Sequence, residues 1–130
     1  MTGGFKIRTP LARVRGLGAA HSGTEHFWRQ RVTAVANIPL TVAFVLIVVS
    51  LLGRNHATAQ QTLGSPLVAI VILLFIGSVT YHMRIGMQVI IEDYVHDDIP
   101  RLVLLMLNTF FAVAVALASA YAIFKLSFGV

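Results

Sequence analysis

One stretch of the chain, His82-Met-Arg-Ile-Gly-Met-Gln-Val-Ile-Ile-Glu-Asp-Tyr, gathers side chains able to bind ligands or exchange protons. The His82 imidazole can hydrogen-bond a neighbouring helix, relay a proton or ligate a metal such as haem iron. Gly86 follows one helical turn later on the same face. A missing side chain there leaves room for a flat macrocycle or for a packed helix. Asp93 is eleven residues beyond His82, about three turns, so the two project from nearly the same side, ~16 Å apart. Tyr94 lies about 100° further round. It can anchor a helix at a membrane–water boundary or donate a hydrogen bond to a carbonyl of a lipid-soluble ligand. The carboxylate beside it can exchange protons with such a ligand. Arg84 points away from His82 and needs an acidic partner, a water-filled cavity or an anionic ligand. Arg29 and Arg31 suit lipid headgroups, or bidentate pairing with carboxylates such as haem propionates. Glu92, Asp93, His96, Asp97 and Asp98 crowd together but lack the glycine and terminal glutamate of a calcium loop. A solvated acidic turn is expected there.

The elements that carry these residues follow from composition. The chain has 130 residues, 57% hydrophobic and only 12% charged, with a mean hydropathy of +0.82. An ordinary soluble domain is about one quarter charged, and a disordered chain is far less apolar. There is no cysteine. That excludes a disulfide scaffold, a thiolate metal site, an iron–sulfur cluster held by this chain and a covalently attached haem. Three apolar runs, Val32–Leu52, Pro66–Ile91 and Leu102–Leu126, are long enough to cross a bilayer, which takes about 20 residues as helix. None alternates with the period of a barrel strand. The expected fold is an all-α membrane protein with three transmembrane helices. It forms one domain over residues 1–130 with a basic cytoplasmic arm over 1–31. A cleaved signal peptide is not expected, because the first apolar run starts late and is too long.

Lys6, Arg8, Arg13, Arg15, Arg29 and Arg31 all precede the first run. The positive-inside rule puts this end in the cytoplasm, and three crossings put the C-terminus outside. The net charge of +5 is thereby explained by topology, and no nucleic-acid partner is expected. His82 falls ~13 Å inside the cytoplasmic end of the second helix, near mid-membrane. His21, His26, His56 and His96 fall in the arm and loops, so a haem with two histidine ligands would take its second from another chain. Ala112, Ala116 and Ala120, and separately Ala114, Ala118 and Ala122, form two small-residue stripes that allow close neighbours. Three helices make a thin core, and a larger heteromeric bundle is expected. Asp98 is expected to cap the third helix ahead of Pro100.

The spacing of His82, Gly86, Gln88, Asp93 and Tyr94 resembles the small hydrophobic membrane anchor subunit of succinate dehydrogenase, the respiratory complex II. The arm Ser22-Gly-Thr-Glu-His-Phe-Trp-Arg-Gln-Arg-Val-Thr-Ala resembles that subunit in alphaproteobacteria. The resemblance covers length, topology and most of residues 20–100. It implies a non-catalytic anchor in the bacterial inner membrane, with a cytoplasmic N-terminus and a periplasmic C-terminus. Its implied partners are the other membrane anchor subunit, the iron–sulfur subunit, the flavoprotein subunit, lipid and ubiquinone. It implies His82 as an axial ligand of haem b shared with a partner, and Tyr94 and Asp93 at the ubiquinone site. Arg31, with Arg29, falls near the arginine that the family sets against haem propionates, although the arm's local spacing departs from some members. Arg84 stands where some relatives carry an aromatic residue. An anchor of a quinol:fumarate reductase, or a non-redox three-helix accessory protein, is the alternative reading.

Overall fold

The computed structural model of the chain describes Leu11 and residues 23–129; the rest of the expected arm, His21 included, lies outside the described residues. Among residues 23–129 four helices follow in order: α1 (Gly23–Ser50), α2 (His56–Gly64), α3 (Pro66–Tyr94) and α4 (Asp98–Phe128). Three of them, α1, α3 and α4, are long and apolar enough to cross a membrane.

The long helix α1 starts nine residues before the first apolar run, so Arg29 and Arg31 stand on it rather than ahead of it. A helix does not stop where its apolar stretch stops. Glu25 in the first turn suits the positive end of the helix dipole and pairs with Arg29 one turn on. At the other end, the Arg54 Nε–H donates to the Ser50 carbonyl at 2.7 Å, placing a cation where the dipole is negative. Gly53 then turns the chain with φ +72°.

Residues 56–64, expected as loop, form the short helix α2. Asn55 caps it by accepting from the Thr58 N–H at 2.9 Å. Good helix formers follow, Ala57, Ala59, Gln60 and Gln61, and the helix has no buried residue. Its last residue, Gly64, presses on the end of α4. A Cβ there would lie 2.6 Å from the backbone oxygen of Leu126. Gly64→Ala is therefore expected to destabilise the assembled protein by about 1–3 kcal/mol. A thermal melt of the purified complex would register this as a lower midpoint.

Pro66 opens α3, where a missing N–H costs nothing. α3 packs against both α1 and α4, while α1 and α4 nowhere come within 8 Å, Cα to Cα, among the described residues. The middle helix thus carries the fold. An apolar core of Ala69, Ile72 and Ile123, flanked by Ile47, Leu63 and Leu126, joins all four helices at the α2 end. Phe44 and Phe75 stack at 4.5 Å between α1 and α3. Elsewhere large side chains such as Phe110, Phe111 and Leu117 are exposed, as suits a surface that meets lipid or another helix.

The expected cap of α4 shifts by one residue. Asp97 takes the N-cap position without a side-chain bond, and Asp98 begins the helix. Its carboxylate pairs instead with Arg101 at 3.5 Å, one turn along the same helix. Of the two alanine stripes, Ala112 is buried against α3 and Ala116 half-buried, whereas Ala114, Ala118 and Ala122 are exposed. Gly129, with φ +68°, closes α4 by donating its N–H to the Lys125 carbonyl.

Candidate functional site

The α1–α3 seam is built from residues one turn apart on each helix. Thr33, Ala36, Asn37 and Leu40 form the stripe of α1 that is withdrawn from the surface, while Val32, Val35 and Ile38 are exposed. Antiparallel packing sets Thr33 opposite His82. The Thr33 Oγ1 lies 3.0 Å from His82 Nδ1. The same hydroxyl lies 2.8 Å from the Arg29 carbonyl and 3.1 Å from that of Gln30.

A threonine hydroxyl has one proton to give. When it goes to the carbonyls of α1, the oxygen lone pair faces the imidazole, and Nδ1 must carry the hydrogen. Nε2 then keeps its lone pair, which is the form of histidine that ligates metals. One turn further along the seam, Asn37 Oδ1 and Ser78 Oγ are buried without a hydrogen-bond partner. Between Thr33 and Asn37 on α1 and Ser78 and His82 on α3 the seam is therefore polar.

Gly86 keeps the space beside His82 open, since a Cβ there would meet nothing within 4 Å. It does not serve a close helix contact within the described residues. A groove of about 540 Å³ adjoins the seam, lined by Thr33, Ala36, Leu40, Leu73, Gly77, Ser78 and Tyr81 among others. Arg29 sits one turn before Thr33 on the same face, pairs with Glu25 and interacts with the Tyr81 hydroxyl. Arg31 turns elsewhere and stacks on the Phe27 ring, 5.1 Å from its centroid. The structure thus separates the two arginines: Arg29 shares the face that meets α3, and Arg31 lies on an exposed one.

Asp93 and Tyr94 are exposed at the last turn of α3, Tyr94 at 80%. Neither has a hydrogen-bond partner among the described residues. They do not meet His82: twelve residues of rigid helix separate Tyr94 from it, ~18 Å along the axis. Of the neighbouring acids, Glu92 accepts from Gln88 at 2.8 Å and Asp98 is paired with Arg101. Among the described residues no three histidine or carboxylate groups converge on a metal-sized site. The exposed ends of Asp93 and Tyr94 are available to another molecule.

On the other side of α3, the Arg84 Nε–H donates to Thr109 Oγ1 at 3.3 Å, and the Arg84 carbonyl accepts from Asn108 Nδ2 at 2.9 Å. Thr33, Asn108 and Thr109 are the residues sequence reasoning missed. Thr33 lies inside the first apolar run, Val32–Leu52. Its signal was real: a hydroxyl in a membrane helix demands a partner. The identity of that partner depends on helix register.

Residues 6–124 match the model of a family described as succinate dehydrogenase/fumarate reductase transmembrane subunit. The chain is 31% identical over 121 residues to the succinate dehydrogenase hydrophobic membrane anchor subunit of Paracoccus denitrificans, with 93% of each chain covered. It is 28% identical over 122 residues to the protein of the same name from Rickettsia bellii, covering 92% of this chain and 96% of that one. The succinate dehydrogenase membrane anchor subunit of Reclinomonas americana is 34% identical over 97 residues, which is 72% of this chain and 81% of that one. No solved structure matches the chain.

Proposed function

The chain belongs to the family of succinate dehydrogenase/fumarate reductase transmembrane subunits and acts as a membrane anchor in such a complex; from that premise we propose that its own residues bind haem b and ubiquinone there. The three long helices fix it in the bilayer as a multi-pass protein. The catalytic subunits it holds are a flavoprotein and an iron–sulfur protein, and a second membrane anchor subunit packs beside it. Six of ten basic residues lie before Val32, which favours a cytoplasmic N-terminus and a periplasmic C-terminus in the inner membrane.

The observation that carries the site assignment is the Thr33–His82 contact. Haem b, when bound, supplies a one-electron store beside the path from iron–sulfur clusters to quinone. His82 offers Nε2 to its iron. Thr33 holds Nδ1–H, which fixes the ring's orientation and raises its basicity as a ligand. The open space at Gly86 and the cation of Arg29 on the same face suit a macrocycle with propionates, whereas Arg31, stacked on Phe27, would have to turn round to reach them. The residues present therefore fit the group as one half of a site. A second histidine ligand would have to come from a partner, because no other histidine among the described residues stands at membrane depth.

At the cytoplasmic end of α3 the Tyr94 hydroxyl donates a hydrogen bond to a carbonyl of ubiquinone, and orients it. The Asp93 carboxylate holds and passes a proton next to it. All three relatives described above are named for succinate dehydrogenase, which favours succinate oxidation over fumarate reduction as the working direction.

Substitution of Thr33 tests the geometry. Thr33→Val removes the acceptor and keeps the shape. It is expected to weaken haem retention about 10–100-fold and to shift the haem midpoint potential. Thr33→Ser is expected to restore both. An unchanged potential in Thr33→Val would remove Thr33 from the site.

A further inference from the structure

We infer that the groove between α3 and α4 seats a transmembrane helix of a second polypeptide, and that Arg84 receives a carboxylate from that helix. Arg84 stands ten residues before the end of α3, ~15 Å inside it. Its Nε–H is spent on the neutral Thr109 hydroxyl, and its terminal nitrogens have no partner among the described residues. The ion pairs found there are Arg29–Glu25 and Arg101–Asp98. The five acidic residues of the chain, Glu25, Glu92, Asp93, Asp97 and Asp98, all stand near helix ends. A guanidinium at membrane depth is stable only with a counter-charge or water. A counter-charge for Arg84, as distinct from water, is a carboxylate that the described residues do not supply.

The space beside Arg84 suits a helix. A groove of about 400 Å³ is lined by Gly77, Thr80, Arg84, Thr109, Ala112 and Ala116 among others. The α4 wall is mostly small side chains, the α3 wall offers Gly77 and Thr80 beside Tyr81 and Arg84, and a Cβ on Gly77 would meet nothing within 4 Å. Gly77 and Tyr81 also line the groove on the α1 side, so the two grooves lie on either side of these residues of α3. At this depth a visiting backbone must satisfy its own hydrogen bonds, which restricts it to a helix. Small residues let that helix come close enough for an aspartate or glutamate to reach the guanidinium. A lipid phosphate sits too far out, since the Thr109 bond holds Arg84 sideways against α4. A haem propionate is disfavoured because Arg84 is two residues from His82, about 200° round the helix. The inference does not depend on the haem reading; it needs only that the chain assembles with another membrane polypeptide.

The test uses the whole complex in its native membrane. Photo-crosslinking from p-benzoylphenylalanine placed at Ala116 is expected to capture a membrane polypeptide through a segment that carries an acidic residue. Arg84→Gln is expected to lower retention of that polypeptide in detergent at least about tenfold, with Arg84→Lys close to wild type. Arg84→Asp should lose it too, and regain it when the captured acid is changed to lysine. That rescue separates a lost ion pair from a misfolded chain. Crosslinks confined to phospholipid would overturn the inference. So would full retention in Arg84→Gln, or a lost haem spectrum in that variant with the polypeptide still bound.

Discussion

His82→Ala is expected to abolish haem b binding by the assembled complex, or to leave it bound in a changed spin state. Nothing else among the described residues can take its place. The other histidines near the membrane, His26, His56 and His96, lie close to helix ends. If His82 ligates the iron, its removal takes away that bond, whereas loss of Thr33 would only loosen the ring that makes it. The two substitutions should therefore differ in kind. Thr33→Val shifts a potential, and His82→Ala deletes or transforms a spectrum. The measurement is the reduced-minus-oxidised visible spectrum of the purified complex, normalised to its flavin. A wild-type spectrum in His82→Ala would contradict the ligand assignment. A complex that no longer assembles is separated from this by His82→Tyr, which keeps a bulky ligand at the same place.

The second large effect belongs to the other end of α3. Tyr94→Phe keeps the ring at the helix end and removes one hydroxyl. If that hydroxyl orients the quinone, kcat/KM for quinone reduction should fall about tenfold or more. Succinate oxidation with an artificial electron acceptor should stay near wild type, because that chemistry takes place in a partner subunit. Equal loss of both activities would point to failed assembly and away from a quinone contact. The separation of ~18 Å between Tyr94 and His82 along the helix also predicts that Tyr94→Phe leaves the haem spectrum untouched.

How these residues share a helix was legible from the sequence, and what they meet was not. The three spans are written in long apolar runs, and the order His82, Asp93, Tyr94 follows from 3.6 residues per turn. The boundaries were underestimated because polar residues continue a helix past the apolar run: Gly23–Arg31 extends α1, and Glu92–Tyr94 extends α3. The helix α2 was hidden by its polarity, although Asn55 before Ala57 and Ala59 is a capping signal. Aspartates side by side left the start of α4 uncertain by one residue. The pairing of Thr33 with His82 was out of reach for a deeper reason. A sequence gives the face of each helix but not the axial register between two helices, and one turn of slip would set Asn37 opposite His82 instead. Arg29 and Arg31 show the same limit. They are two residues apart and carry the same charge, but only Arg29 turns toward α3, because about 200° of helical rotation separates them.

The most direct test of the anchor assignment is isolation of the untreated complex from membranes through a tag on this chain. Its subunits and its visible spectrum are then read together. The predicted result is a flavoprotein, an iron–sulfur protein and a second small membrane subunit, with about one haem b per flavin and succinate:quinone reductase activity. A chain that purifies without flavoprotein and without haem would contradict the account.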